Sequence, residues 1–195
     1  MPGKLSKALR LIDEANQKDP TLIDVDGESL PAEYVYGSRM SSILHEYLKD
    51  PDPYLQIAAR GQHIERWKTP RSEFDEGKKG YFQWRNQLKT FHAERVREIM
   101  EHVGYGEIAC DRVSDLIRKK GLAHDLEVQK LEDVIVIVFL RYYAEDFLEK
   151  HPREKGLDIM AKTARKMSAT GILQANVQPL PPQVKQLLEE ALKQI

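Results

Sequence analysis

The run Val134–Leu140, VIVIVFL, sits inside LEVQKLEDVIVIVFLRYYAEDFLEK and constrains this chain more than any other stretch. β-Branched runs of this kind also suit a strand. The flanks LEVQKLED and AEDFLEK are helix formers, however, and the pattern lasts for some two dozen residues, well beyond strand length. A helix is therefore expected from Leu126 to Lys150. A helix apolar on all sides is a central one, so the rest of the chain must supply helices that cover it. Glu132 and Asp133 stand at its buried entrance.

The remaining sequence reads as that cover. Leu5, Leu9 and Ile12 predict an amphipathic helix ending near Asp19-Pro20. TLIDVDGES reads as a polar linker. A second helix starts at Pro31, a favoured first-turn residue, and carries Tyr34, Met40, Leu44 and Tyr47 with His45 beside the stripe. A third runs from Pro53 to Trp67 and puts Gln62, His63 and Arg66 on one side. After a loop over residues 69–80, a fourth runs from Tyr81 to Val103, with His92 on an apolar stripe and Arg85 two turns back on the same row. Shorter helices follow over Ala109–Lys119 and Leu157–Thr170. The expected fold is all-α: one helical bundle over 1–178, then a Pro-rich linker and an amphipathic C-terminal helix over 179–195. That last helix either docks on the domain or pairs with a partner, a second copy included.

Composition narrows the function classes. With 195 residues, 41% apolar and 31% charged, the chain suits a globular protein with a proper core. Its net charge of −1 provides no bulk attraction to nucleic acid, so any basic recognition must be local. The single cysteine, Cys110, allows no internal disulfide and fits a reducing cytosol. No apolar run approaches the ~20 residues that span a bilayer. The opening MPGKLSKALRLIDEAN is charged and lacks a secretory apolar core, so a cytoplasmic location is expected.

Two groups of residues carry chemistry. His45, His63 and His92, with Asp133 or Glu132, form a nitrogen and oxygen donor set suited to one divalent ion of Mn, Fe, Co, Ni or Zn. Taken singly, a histidine on an apolar helical face is more often a hydrogen-bonded core residue. The second group is the segment Arg60–Arg85. There Arg60, Arg66, Arg71, Lys78, Lys79 and Arg85 cluster around Trp67, Tyr81 and Trp84. Guanidinium forks bind phosphate and aromatic faces stack bases or sugars. The plainer reading is a solvated loop balanced by Glu65, Glu73, Asp75 and Glu76, with the tryptophans in the core.

The order of these residues resembles that of the HD-domain metal-dependent phosphohydrolases, which pair a His, a His-Asp doublet and a final Asp on an all-α bundle. By this resemblance His45 takes the first position, Gln62-His63 in AARGQHI the doublet, His92 an accessory position and Asp133 the last. Gln62 departs from the pattern, which implies a one-metal centre. QHIERWKTPRSEF, GKKGYFQWRNQLKTFHA, the LEDV run into FLRYY, and KTARKMSATG resemble more closely, and nearly end to end, the bacterial and fungal family of domain of unknown function 4202. Some of its members carry a glutamyl-tRNA synthetase label. Lys166-Met167-Ser168 echoes a synthetase loop, but no HIGH-like partner accompanies it, and KMS reads as coincidence.

The expected function is thus a metal-dependent phosphohydrolase acting on a nucleotide or another phosphorylated small molecule. His45, His63, His92 and Asp133 would hold the ion, Arg66 and Arg85 would neutralise phosphoryl oxygens, and Glu132 would position or deprotonate water. Arg60, Arg71, Trp67 and Trp84 would line the substrate mouth. The alternative is a non-catalytic RNA- or tRNA-binding module that uses the Arg60–Arg85 face.

Overall fold

A computed structural model describes residues 3–194. The fold is all-α with one small hairpin, and it divides into two compact units, Met1–Lys120 and Gly121–Ile195. The division falls well before the linker at residue 179 that the sequence pattern indicated.

The first unit comprises α1 (Lys4–Asn16), β1 (Leu22–Val25), β2 (Glu28–Pro31), α2 (Ala32–Tyr47), α3 (Pro53–Arg60), α4 (Gly77–Val103) and α5 (Glu107–Arg118). The expected linker TLIDVDGES is the hairpin. Leu22 pairs with Pro31 and Val25 with Glu28, and Asp26-Gly27 turns the chain with φ of 55° and 85°. Positive φ at both central residues is what an Asp-Gly turn supplies. Asp19 ties the hairpin to α2, accepting from the amides of Thr21 (2.9 Å) and Glu33 (3.0 Å). α2 carries Met40, Ile43 and Leu44 inward, all fully buried.

α3 stops earlier than its pattern suggested. Asp52 caps it, accepting from the Tyr54 amide at 2.7 Å with Pro53 behind it. It ends at Arg60, and Gly61 just past its end lies against α4, where a Cβ would meet Val96 Cγ2 at 2.4 Å. The chain then makes turns and two 3₁₀ turns, over Arg66–Lys68 and Arg71–Glu73, with Glu65 left-handed at φ 50°. Gln62, His63 and Arg66 therefore do not sit on a continuous helix. Glu65 is held in that conformation from both sides. Its amide donates to Asn16 Oδ1 at 2.9 Å, and its carboxylate pairs with Lys68 and Arg95, each at 2.8 Å. α4 starts at Gly77 rather than Tyr81 and ends at left-handed Gly104 (φ 92°). There the Tyr105 amide donates back to Met100 O.

The second unit contains α6 (Leu126–Tyr142), α7 (Ala144–Glu149), α8 (Arg153–Ala164), α9 (Ala169–Val177) and α10 (Pro182–Leu192). The long helix expected to Lys150 breaks at Tyr143, separating α6 from α7. α6 is buried on nearly every side, including Val134, Val136, Ile137 and Val138. α10 packs on α8 and α7 through Val184, Leu187, Leu188 and Ala191, so the C-terminal helix is docked. Lys166-Met167-Ser168 is the turn into α9. Ser168 caps that helix by accepting from the Gly171 amide at 2.9 Å. Among the described residues no helix is long and apolar enough to cross a membrane.

Candidate functional site

The site lies in the first unit, on the turns between α3 and α4. His63 stacks flat on Tyr36 of α2, with ring centroids 3.8 Å apart and planes at 10°. The Arg66 Nη1 group lies 3.0 Å from His63 Nε2. A guanidinium can only donate, so Nε2 accepts and the His63 proton resides on Nδ1. That nitrogen faces Glu33 Oε2 at 3.4 Å, while Arg66 Nε is 3.9 Å from Glu33 Oε1. Glu33, His63 and Arg66 form one connected group. Arg66 also lies over the Trp84 ring, 4.8 Å from its centroid, and Trp84 Nε1 donates to Thr69 O at 2.9 Å.

His92 stands behind His63, with ring centroids 6.0 Å apart. Its Nδ1 donates to Ile64 O at 2.8 Å, which leaves Nε2 as a lone-pair acceptor. His92 is 2% exposed and Gln62 is 5% exposed. His92 Nε2 and Gln62 Oε1 are both buried without a hydrogen-bond partner among the described residues.

Electrostatics separate the acid from the two bases. Burial pushes the Glu33 carboxyl up to about 7 against the pull of Arg66, with Asp19 adding to the rise. Burial, then the charges of Arg66, Arg85 and Lys119, hold His63 well below the ordinary imidazole range. Burial also takes His92 down to about 3, with Arg66 and Arg85 acting in the same direction and the Ile64 bond opposing. Both imidazoles are therefore neutral near pH 7, and the positive charge around them comes from arginine and lysine. Arg85 makes no ion pair or hydrogen bond among the described residues.

Two pockets meet at Arg66. The outer one, about 200 Å³, is bordered by Glu33, Arg66, Trp67, Thr69, Arg71 and Trp84, with Asp19 and Thr21 at its edge. The inner one has room for about 10 Å³, a single water-sized group. Gln62, His63, Arg85, His92 and Lys119 border it together with Arg66.

The expected metal donors have other partners within their own units. Among the described residues no three His, Cys, Asp or Glu side chains form a group that could hold a metal ion. His45 is exposed, its Nδ1 bonded to Ser41 O at 2.8 Å in its own helix. The Nε2 lone pair of His63 is already taken by a guanidinium. In the second unit Asp133 is fully buried and accepts from the Ser168 amide (2.8 Å), Ser168 Oγ (2.6 Å) and Gln129 Nε2 (3.0 Å). Gly171 is pressed against that carboxylate, since a Cβ there would come within 2.4 Å of Asp133 Cγ. Asp133 thus anchors the start of α9. His63 and Asp133, which the HD resemblance implies as ligands, each already accept hydrogen bonds from protein donors. Glu132 is buried beside Asp133 on α6.

The substrate residues divide. Arg60 is spent on a bidentate pair with Asp13, at 2.6 and 2.7 Å. Arg71 donates to the backbone oxygens of Phe74 (2.8 Å) and Asp75 (2.7 Å). Trp67 and Trp84 do border the outer pocket, and Arg66 and Arg85 border the inner one. Glu33, Tyr36 and Lys119 were not singled out from the sequence. A signal existed for Glu33: it heads the row Glu33, Tyr36, Met40, Leu44, in which every later member is buried. A carboxylate at the head of a buried helical row marks a desolvated acid.

What fold and site define is an all-α protein with two pockets that share Arg66, the outer bordered by a carboxyl of raised pKa and the inner by two neutral histidines. The chain belongs to the family described as Domain of unknown function (DUF4202), whose model matches residues 6–188. No curated protein and no solved structure matches it.

Proposed function

We propose that the first unit is a phosphohydrolase-type enzyme acting on a small phosphorylated molecule, with Glu33 as its acid–base group. One observation carries the reading. A carboxyl with a pKa of about 7 shares a mouth with Arg66, whose neighbour Arg85 has its charge uncompensated. A group that titrates near the working pH is an efficient proton carrier. Guanidinium groups held in a partly desolvated cleft attract a phosphate and stabilise the charge on its oxygens during transfer.

In the proposed step the Glu33 carboxylate takes a proton from water as the water oxygen bonds to phosphorus. The ester oxygen–phosphorus bond breaks, and the leaving oxygen takes up a proton from Glu33 or from solvent. Arg66 and Arg85 hold the phosphoryl oxygens. His63, neutral and stacked on Tyr36, orients Glu33 and Arg66 through its two ring nitrogens. Trp84, under Arg66, supplies a flat wall for the rest of the substrate.

A screen of phosphorylated metabolites with purified full-length chain, read by phosphate release, tests this. Turnover is expected for at least one compound, lost by at least about 100-fold in Glu33→Gln while binding is retained. Turnover that survives Glu33→Gln and Arg85→Ala together would sink the proposal.

A further inference from the structure

The inner pocket contains a combination that a general anion site does not need. Its rim is cationic, with Arg66, Arg85, Lys89 and Lys119, yet its floor presents two buried acceptor atoms, His92 Nε2 and Gln62 Oε1. The tautomer of His92 is fixed by geometry, because Nδ1 must donate to Ile64 O. A fully ionised oxyanion pointed at that floor would meet lone pairs with lone pairs. An ammonium would match the floor but is repelled by the rim. A group that satisfies both is an O–H carried on an anion.

Building on the anion-binding reading above, we propose that the inner pocket selects phosphate in its protonated form. The P–OH hydrogen is donated to His92 Nε2 or Gln62 Oε1, and the charged oxygens stay under Arg85 and Lys119. The size fits this division. About 10 Å³ admits one oxygen and its hydrogen, and the rest of the tetrahedron remains at the rim. Gln62 thereby acquires a positive role, as an acceptor that reads the ligand's proton. The class of ligand is inorganic phosphate or a phosphate monoester, each of which keeps an O–H at mildly acid pH.

Sulfate is the discriminating probe, since it has the same shape but no O–H. At about pH 6 phosphate also carries less charge than sulfate. Attraction to the rim alone would therefore favour sulfate, and a preference for phosphate would report the acceptor floor. Calorimetric titration of the full chain at constant ionic strength should give phosphate at least about tenfold tighter binding than sulfate. Methyl phosphate, run alongside, tells a monoester site from one for the free ion.

In Gln62→Met and in His92→Phe the preference should fall toward one with sulfate affinity retained, which also shows that the variants fold. If His92→Phe does not fold, Gln62→Met decides alone. Arg85→Ala should weaken both anions alike. Equal binding of phosphate and sulfate by the parent chain, or a preference unchanged in the variants, overturns this inference and leaves the anion site standing. Failure of the parent chain to bind either anion overturns the anion site itself.

Discussion

Arg66 Nη1 sits 3.0 Å from His63 Nε2, so the lone pair that a metal would claim already serves a cation. That contact reorganises the meaning of the segment. On the proposed function, His63 orients Glu33 and Arg66 through its two ring nitrogens. The chemistry shifts toward the carboxyl, whose raised pKa follows from burial at the head of α2.

The first prediction concerns that carboxyl. As a general base Glu33 must be ionised, so kcat/KM should rise with pH toward an apparent pKa of about 7. It should fall again on the alkaline side, as a monoester loses the O–H that the inner pocket reads. Glu33→Asp should keep this profile with a lower maximum, and Glu33→Gln should abolish the rising limb. A pH–rate profile flat between about 5 and 9 would contradict the assignment.

Stability should carry the opposite signatures of His92 and Glu33. An unfolded imidazole protonates near 6.5, whereas native His92 resists to about 3. Its contribution is therefore complete above 6.5 and lost as pH falls toward 3, at about 1.4 kcal/mol per pH unit. His63, also depressed, acts in the same sense. Glu33 acts in reverse: native Glu33 keeps its proton up to about 7 while the unfolded carboxyl releases it near 4.5, so its contribution is complete below 4.5 and lost as pH rises to about 7. Urea midpoints of the parent chain should fall gently from pH 6.5 to 4.5 and steeply below. In Glu33→Gln the upper window should become as steep as the lower. Identical pH curves for the two proteins would remove the basis for both shifts.

Gly61→Ala should destabilise the first unit by about 1–3 kcal/mol, since the new Cβ lands 2.4 Å from Val96 Cγ2 on α4. Pairing it with Val96→Ala should recover part of the loss. The two midpoints in urea check it, and additive effects would show that the contact is not what fixes Gly61.

Asp133→Ala should cost about 1–3 kcal/mol, because it strands the half-buried Ser168 amide and hydroxyl that now donate to it. Ser168→Ala should cost less. Treatment with a chelator should leave the melting temperature of the parent chain unchanged. A fall on chelation matched by insensitivity in Asp133→Ala would restore the ligand role.

Much of the fold was legible because its signals are local. The apolar run around Val134 is a buried helix, and Asp52-Pro53 and Gly104 mark helix ends. The hairpin was also legible in principle, since Asp26-Gly27 between LIDV and ESLP is a turn signal, but the polar flanks masked two short strands. The end of α3 was not legible. Gly61 lies against Val96 just past that end, a tertiary fact with no local trace. The site suffered from that same break. Helical spacing put Gln62, His63 and Arg66 on a common row, whereas the chain reaches their positions through a left-handed Glu65 that no periodicity announces. His92 and Arg85 lie on an unbroken helix, and their placement at one pocket follows the spacing.

The contact between Gly171 and the Asp133 carboxylate has a consequence for inheritance. With the carboxyl carbon only 2.4 Å from where a Cβ would stand, the two positions cannot drift separately. A lineage that gains a side chain at 171 must first shorten or lose the acid at 133. A side chain at 171 should therefore appear only beside a smaller residue at 133, making this pair a marker for which distant relatives still start α9 in the same way.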